Sequence, residues 1–271
     1  MVFQIKQMHF FGKGNLQDEQ KGKLGLRGFF VSTEFKTGIN FVKGGLYQCG
    51  GLSFALCKGQ EGMDYDCKGF YLNGTLTTPK QMHQLTYHVT AHDKLHLGSW
   101  REKTVIQHLK IAEKTKGADI KLIKHQFILA DGNIENNSWP RSHRKLSQLS
   151  GCMHLYSCAI GFAYGKKIFC FPWLCESLLK SQVAYFSALS LLAEEHDLIF
   201  IIPVESTKPF EGKFNYTEIN ANDIELVLGG DSPDGVMFRR DAKPPAESEL
   251  YKPPTVRLDP ITKAIIMENS K

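Results

Sequence analysis

The chain has 271 residues, 42% hydrophobic and 23% charged, with 33 Lys and Arg against 28 Asp and Glu and a formal charge of +5. That length and composition exclude a disordered chain, and so slight a basic excess falls short of the dense stripe of a dedicated nucleic-acid binder. Seven cysteines without a CxxC pair, an N-terminus (MVFQIKQMHFFGKG) without a signal-peptide run, and no apolar stretch of about 18 residues predict free thiols, a reducing cytoplasmic compartment and no membrane span.

Residues 1–48 are glycine-rich, and their apolar clusters, Leu26 to Val31 and Ile39 to Val42, predict short strands and tight turns. A helix is expected from Pro79 to His92. Thr78 and Gln81 form a capping box, Pro79 suits the first helical position, and Met82, Leu85 and Val89 share a face. A second is expected over Lys103 to Lys116, with Val105, Ile106, Leu109 and Ala112 as its stripe and Gly117 as its stop. Strands are expected at Ile120–Ile123 and Gln126–Leu129. HLYSCAIGFAYGKKIFCF, residues 154–171, reads as a hairpin turning at Tyr164, Gly165 and Lys166. A long helix over Glu176–Glu195 and the strand LIFIIPV at 198–204 complete the core. Six of the eleven prolines lie between Pro233 and Pro260, and Lys-Pro-Pro occurs at 243–245 and 252–254. This divides the chain into one α+β domain, 1–228, and a flexible proline-rich C-terminal arm, 229–271.

In GLYQCGGLSFAL, residues 45–56, Cys49 stands at the expected start of a short helix. Unpaired N–H groups and the positive end of the helix dipole favour a thiolate there, and Gly50 and Gly51 leave room for a substrate backbone. The alternative is a small buried cysteine beside a glycine turn. A thiol nucleophile needs an imidazole, and His154, 105 residues later at the start of the expected hairpin, is the candidate base. A half-buried structural histidine is its alternative.

Cysteine at a helix start, then helix, then histidine on an antiparallel hairpin resembles the papain-like cysteine protease clan. Cys49, Gly51, Leu52 and Ser53 resemble the nucleophile segment of the YopT-type bacterial effector proteases. The resemblance implies a helical region facing an antiparallel sheet, a protein substrate, no cofactor, and delivery into a host cytoplasm without a classical signal peptide. The aspartate of that family's aromatic-Asp-Pro segment is replaced: Phe169, Cys170, Phe171 and Pro172 stand there. Gln48 and Asn40 are side-chain candidates for the oxyanion hole. The function expected is cysteine-dependent acyl transfer, by a protease or deamidase, with Cys49 as nucleophile and His154 as base.

Two other constellations compete. His88, His92 and His96 recur every four residues, a spacing that places them on one helix side for a metal, without the HExxH glutamate. Residues 101–148 hold ten Lys or Arg against five Asp or Glu, with Trp139 among them. Such a surface suits a non-catalytic protein that binds a protein or nucleic-acid partner. Finally, no GxxxxGK[ST] sequence is present, so nucleotide chemistry draws no support from motifs.

Overall fold

The computed structural model describes residues 1–10, 25–44, 53, 56–57, 65–90, 102–131, 141–149, 151–220, 224–229 and 236–237. Among the described residues, eleven strands form two sheets. They are β1 (Val2–Phe10), β2 (Gly25–Lys36), β3 (Gly38–Lys43), β4 (Tyr65–Leu72), β5 (Thr75–Thr77), β6 (Thr86–His88), β7 (Ile168–Cys170), β8 (Ile199–Val204), β9 (Tyr216–Asn220), β10 (Ile224–Gly229) and β11 (Val236–Met237). The α-helices of the described residues are α1 (Pro79–Leu85), α2 (Val105–Lys116), α3 (Ile120–Asp131), α4 (Met153–Ala163), α5 (Glu176–Ser181) and α6 (Val183–His196).

One sheet is antiparallel, in the order β11-β10-β2-β1-β4-β5; the other has the order β6-β7-β8-β3-β9, and each of its strand pairs is parallel. The chain passes from the first to the second at Thr37 and Gly38, where Gly38 has φ 111°. Such a backbone favours glycine. The parallel strands are apolar on both faces, as expected of strands covered from both sides. Ile39, Phe41, Phe169, Phe171, Phe200, Ile202 and Val204 belong to the core cluster formed with the helices. Val42, Ile168, Cys170, Ile199 and Ile201 alternate with them and join Phe3, Ile5, Phe35 and Phe70 of the antiparallel sheet in a second cluster. The parallel sheet is thus the middle layer of three.

Several expected elements change type. The helix starting at Pro79 has its capping box, with the Thr78 hydroxyl accepting from the Gln81 N–H at 3.3 Å and the Gln81 side chain accepting from the Thr78 N–H at 2.9 Å. It ends at Leu85 instead of His92, because Thr86, Tyr87 and His88 pair in parallel with Ile168, Phe169 and Cys170. The helix expected over 103–116 is α2, closed by Gly117 at φ 68°. The two strands expected at 120–129 are one helix, α3, whose buried Ile120, Ile123 and Phe127 follow its period.

The hairpin expected over 154–171 is a helix followed by a strand. Gly165 turns with φ 75°, but the first arm is α4 and the second, β7, pairs with β6 and β8 in parallel. The helix expected over 176–195 is broken at Gln182 into α5 and α6. The α+β, papain-like arrangement is therefore incorrect. In place of a helical region facing an antiparallel sheet, helices cover a parallel sheet backed by a separate antiparallel one. The arm expected beyond residue 228 lies mostly outside the described residues; Val236 and Met237 form the edge strand beside β10.

Candidate functional site

All five strands of the middle sheet run the same way, so their carboxyl ends share one edge. Open α/β sheets bind ligands in that location. Gly44 N donates to Val204 O at 2.9 Å, Leu174 N to Pro203 O at 2.9 Å, and Glu205 N to Leu174 O at 3.2 Å. These bonds set the ends of β3, β7 and β8 level with one another. Across this edge the Trp173 indole N–H donates to Gly44 O at 2.9 Å, tying the segment after β7 to the start of the glycine-rich stretch after β3.

The edge is polar around this anchor. Lys43 Nζ lies 3.3 Å from Glu218 Oε1, and Thr207 donates to Glu218 Oε2 at 2.7 Å. Glu205 Oε2 accepts the Glu176 N–H at 3.1 Å, where α5 begins. Cys175 caps that helix, and its thiol is held below its ordinary pKa by the Ser177 hydroxyl, at 3.1 Å, and by the Leu178 N–H. Ser53, Leu56 and Cys57 are helical and buried. Ser53 is fully buried, and its hydroxyl has no hydrogen-bond partner among the described residues. An unpaired buried hydroxyl carries an unfavourable desolvation cost until something bonds to it.

Of the residues singled out from the sequence, His154, Asn40 and His88 are described. Cys49 and Gln48 lie outside the described residues. His154 sits in the first turn of α4, nine-tenths buried against Phe171, with Nδ1 3.0 Å from Gln182 Oε1. Burial lowers its pKa below 6.5, against a smaller upward pull from the Gln182 bond. Asn40 is fully buried at the corner between the sheets. Its Nδ2 donates to the carbonyls of Lys36 (2.7 Å), Gly38 (3.2 Å) and Phe200 (3.3 Å), while its Oδ1 accepts the Lys36 N–H at 3.0 Å. His88 is on a strand, β6, so the helix that would align it with His92 and His96 is not there; the latter two lie outside the described residues. No group of three or more His, Cys, Asp or Glu able to hold a metal occurs among the described residues.

Sequence reasoning missed Trp173, Glu205 and the partnerless hydroxyl of Ser53. The available signal was the pair of uninterrupted apolar runs, IFCF and LIFIIPV: runs without alternation mark parallel strands buried on both faces, and the residues after them mark the binding edge.

No family model and no curated protein matches the chain. Solved structures do match it. A putative cobalt transport ATP-binding protein superposes with a TM-score of 0.52 at 15% identity, covering 82% of this chain and 76% of that one. The cbiO1 protein from Clostridium perfringens, part of the ABC transporter complex cbiONQ, gives 0.51 at 12% identity, covering 81% and 84%. An ATP-binding subunit of an ABC transporter gives 0.51 at 9%, covering 82% and 87%. At these identities the likeness defines the fold: this chain has the α/β architecture of ABC transporter ATP-binding proteins. The resemblance to papain-like and YopT-type proteases is thereby overturned. With it goes the assignment of cysteine-dependent acyl transfer, and a protein substrate and effector delivery lose their basis. The rival reading, a non-catalytic binder acting through the basic middle region, gains no support from this fold either. No helix among the described residues is long and apolar enough to cross a membrane.

Proposed function

We propose that this chain binds a nucleoside triphosphate, taking its phosphates on the glycine-rich segment 44–53 at the carboxyl edge of the parallel sheet. The observation that carries the reading is positional. Strand β3 lies inside the sheet between β8 and β9, and leads directly into Gly44, Gly45, Gly50 and Gly51, followed by a helical residue whose buried hydroxyl lacks a partner. A strand, a glycine-rich segment and a helix in this order present backbone N–H groups to an anion. The solved structures of the same fold are described as ATP-binding proteins.

Aligned from Gly45, the segment reads Gly-x-x-x-x-Gly-Gly-Leu where the phosphate-loop pattern has Gly-x-x-x-x-Gly-Lys-Ser/Thr. Gly51 cannot supply the cation that reaches the terminal phosphates, so we propose nucleotide retention without rapid hydrolysis. Because the neighbours are described as parts of ABC transporters, the partner we propose is a membrane-embedded transport subunit.

Titration of the purified chain with a fluorescent ATP analogue tests the reading. Saturable binding that is competed by ATP is expected, and Gly50→Asp, which adds a carboxylate to the proposed phosphate segment, should weaken it at least about tenfold, or 1.4 kcal/mol. No saturable binding, or equal binding by a folded Gly50→Asp variant, would sink it.

A further inference from the structure

Two free thiols meet between the two sheets. Cys170 ends β7 and shares a buried cluster with Cys57, Leu56, Met82 and Ile168, and its S–H is hydrogen-bonded to the Cys57 sulfur. The other cysteines with described surroundings are placed elsewhere. Cys152 and Cys158 belong to the cluster on the helical side of the parallel sheet, where the Arg141 guanidinium donates to Cys152 Sγ at 3.0 Å. Cys175 bonds to the Ser177 hydroxyl.

The two sulfurs of the pair are not equivalent. Cys170 is fully buried, and burial, with the Cys57 contact adding to it, pushes its thiol well above the ordinary value, so it stays protonated. Cys57 keeps 6% of its surface exposed, enough for a small oxidant to reach it first. The Lys166 ammonium stands beside it, held by the carbonyls of His83 and Gln84 in the last turn of α1, which accept from Nζ at 3.1 and 2.9 Å. Burial lowers the pKa of this lysine, while the Cys57 sulfur pulls it up and Lys116 pushes it down. The thiolate is the form that attacks an oxidant, and a neighbouring cation favours it.

We infer that Cys57 and Cys170 form a reversible oxidation site, closed to a disulfide by a hydroperoxide. With hydrogen peroxide, the Cys57 sulfur attacks one oxygen, the O–O bond breaks, water leaves, and Cys57 becomes a sulfenic acid. The Cys170 sulfur then attacks the Cys57 sulfur, and the hydroxyl departs as water with the Cys170 proton. Two thiols have lost two hydrogens and the peroxide has become two waters. A dithiol reductant restores the pair. The bridge pins a helical residue to β7 and requires no nucleotide.

The folded full chain is treated with hydrogen peroxide, alkylated, unfolded, digested and mapped by mass spectrometry. The expected product is a peptide linked between Cys57 and Cys170 that disappears on treatment with dithiothreitol. Cys170→Ser should instead leave a Cys57 sulfenic acid that dimedone traps, and Cys57→Ser should leave Cys170 unoxidised. Because the bridge constrains the unfolded chain between residues 57 and 170, the bridged protein should melt higher by about 5 °C or more. Recovery of both cysteines as free thiols at peroxide levels that oxidise Cys175 would overturn the inference, as would a bridge from Cys57 to any other cysteine. A bridged chain that melts below the reduced one would overturn it too, since the bond would then not fit the fold. Oxidation of Cys170 in a folded Cys57→Ser chain would overturn the order of attack.

Discussion

At the scale of single residues, His154 illustrates how a chemically suggestive side chain can be absorbed by the core. Its ring lies tilted against Phe171, with centroids 5.6 Å apart, and Nδ1 bonds to Gln182 at the break between α5 and α6. Burial favours the neutral form, so the folded pKa lies below 6.5. When the pH falls below the ordinary value, the unfolded chain takes up a proton that the folded chain refuses. Stability from this site is therefore complete above pH 6.5 and declines as the pH drops toward the lowered folded value. His154→Gln removes the titration, so the melting-temperature advantage of the parent chain over this variant should shrink on acidification below pH 6.5. Two melting curves that stay parallel from neutral to acid pH would rule this out.

At the scale of elements, the legible parts were those with a local chemical signature. Thr78 and Gln81 announced α1, Gly117 ended α2, and LIFIIPV was plainly a strand. Elements buried on every side were not legible. Nine of the eleven residues of α4 are buried, so it shows no polar stripe, and a uniformly apolar run cannot be told from a strand by periodicity. The boundary between α1 and β6 was obscured for a related reason: Met82, Leu85 and Val89 keep helical spacing even though the backbone changes at Thr86. Packing now explains one residue of α4 that its sequence could not. A Cβ on Gly161 would stand 2.6 Å from Tyr87 Cδ1 and 2.8 Å from Phe169 Cε1, so this glycine lets the helix lie directly on β6 and β7. Gly161→Val should cost about 1–3 kcal/mol through overpacking, measured by urea denaturation. A loss under about 0.5 kcal/mol would mean that the two rings move aside freely.

At the scale of the whole molecule, strand order was the least legible feature, because it depends on pairing between segments far apart in sequence. β3 pairs with β8 and β9, more than 150 residues away, and no local pattern encodes that choice. The glycines near Cys49 were noticed from sequence, yet that β3, the strand preceding them in the chain, is an interior parallel strand emerges only from the assembled sheet. The proposed phosphate-centred reading of the segment draws on that strand position, where the thiol-centred one drew on local sequence alone. The same assembly makes a claim about cooperativity. Phe3, Phe35 and Phe70 of the antiparallel sheet share a buried cluster with Val42, Ile199 and Ile201 of the parallel sheet, and Phe3 and Phe35 stack at 5.9 Å. If this layer joins the two sheets into one folding unit, Phe35→Ala should cost about 3–5 kcal/mol, and both sheets should unfold in a single transition. Trp173 reports on the parallel sheet once Trp100 and Trp139 are changed to Phe, while far-UV circular dichroism reports on the backbone as a whole. Coincident denaturation curves in the parent and in Phe35→Ala, shifted together to lower urea, are the expected outcome. Curves that separate, with Trp173 retaining its native signal after part of the circular dichroism is lost, would show that the antiparallel sheet is an independent layer and that Phe35 stabilises only its own side.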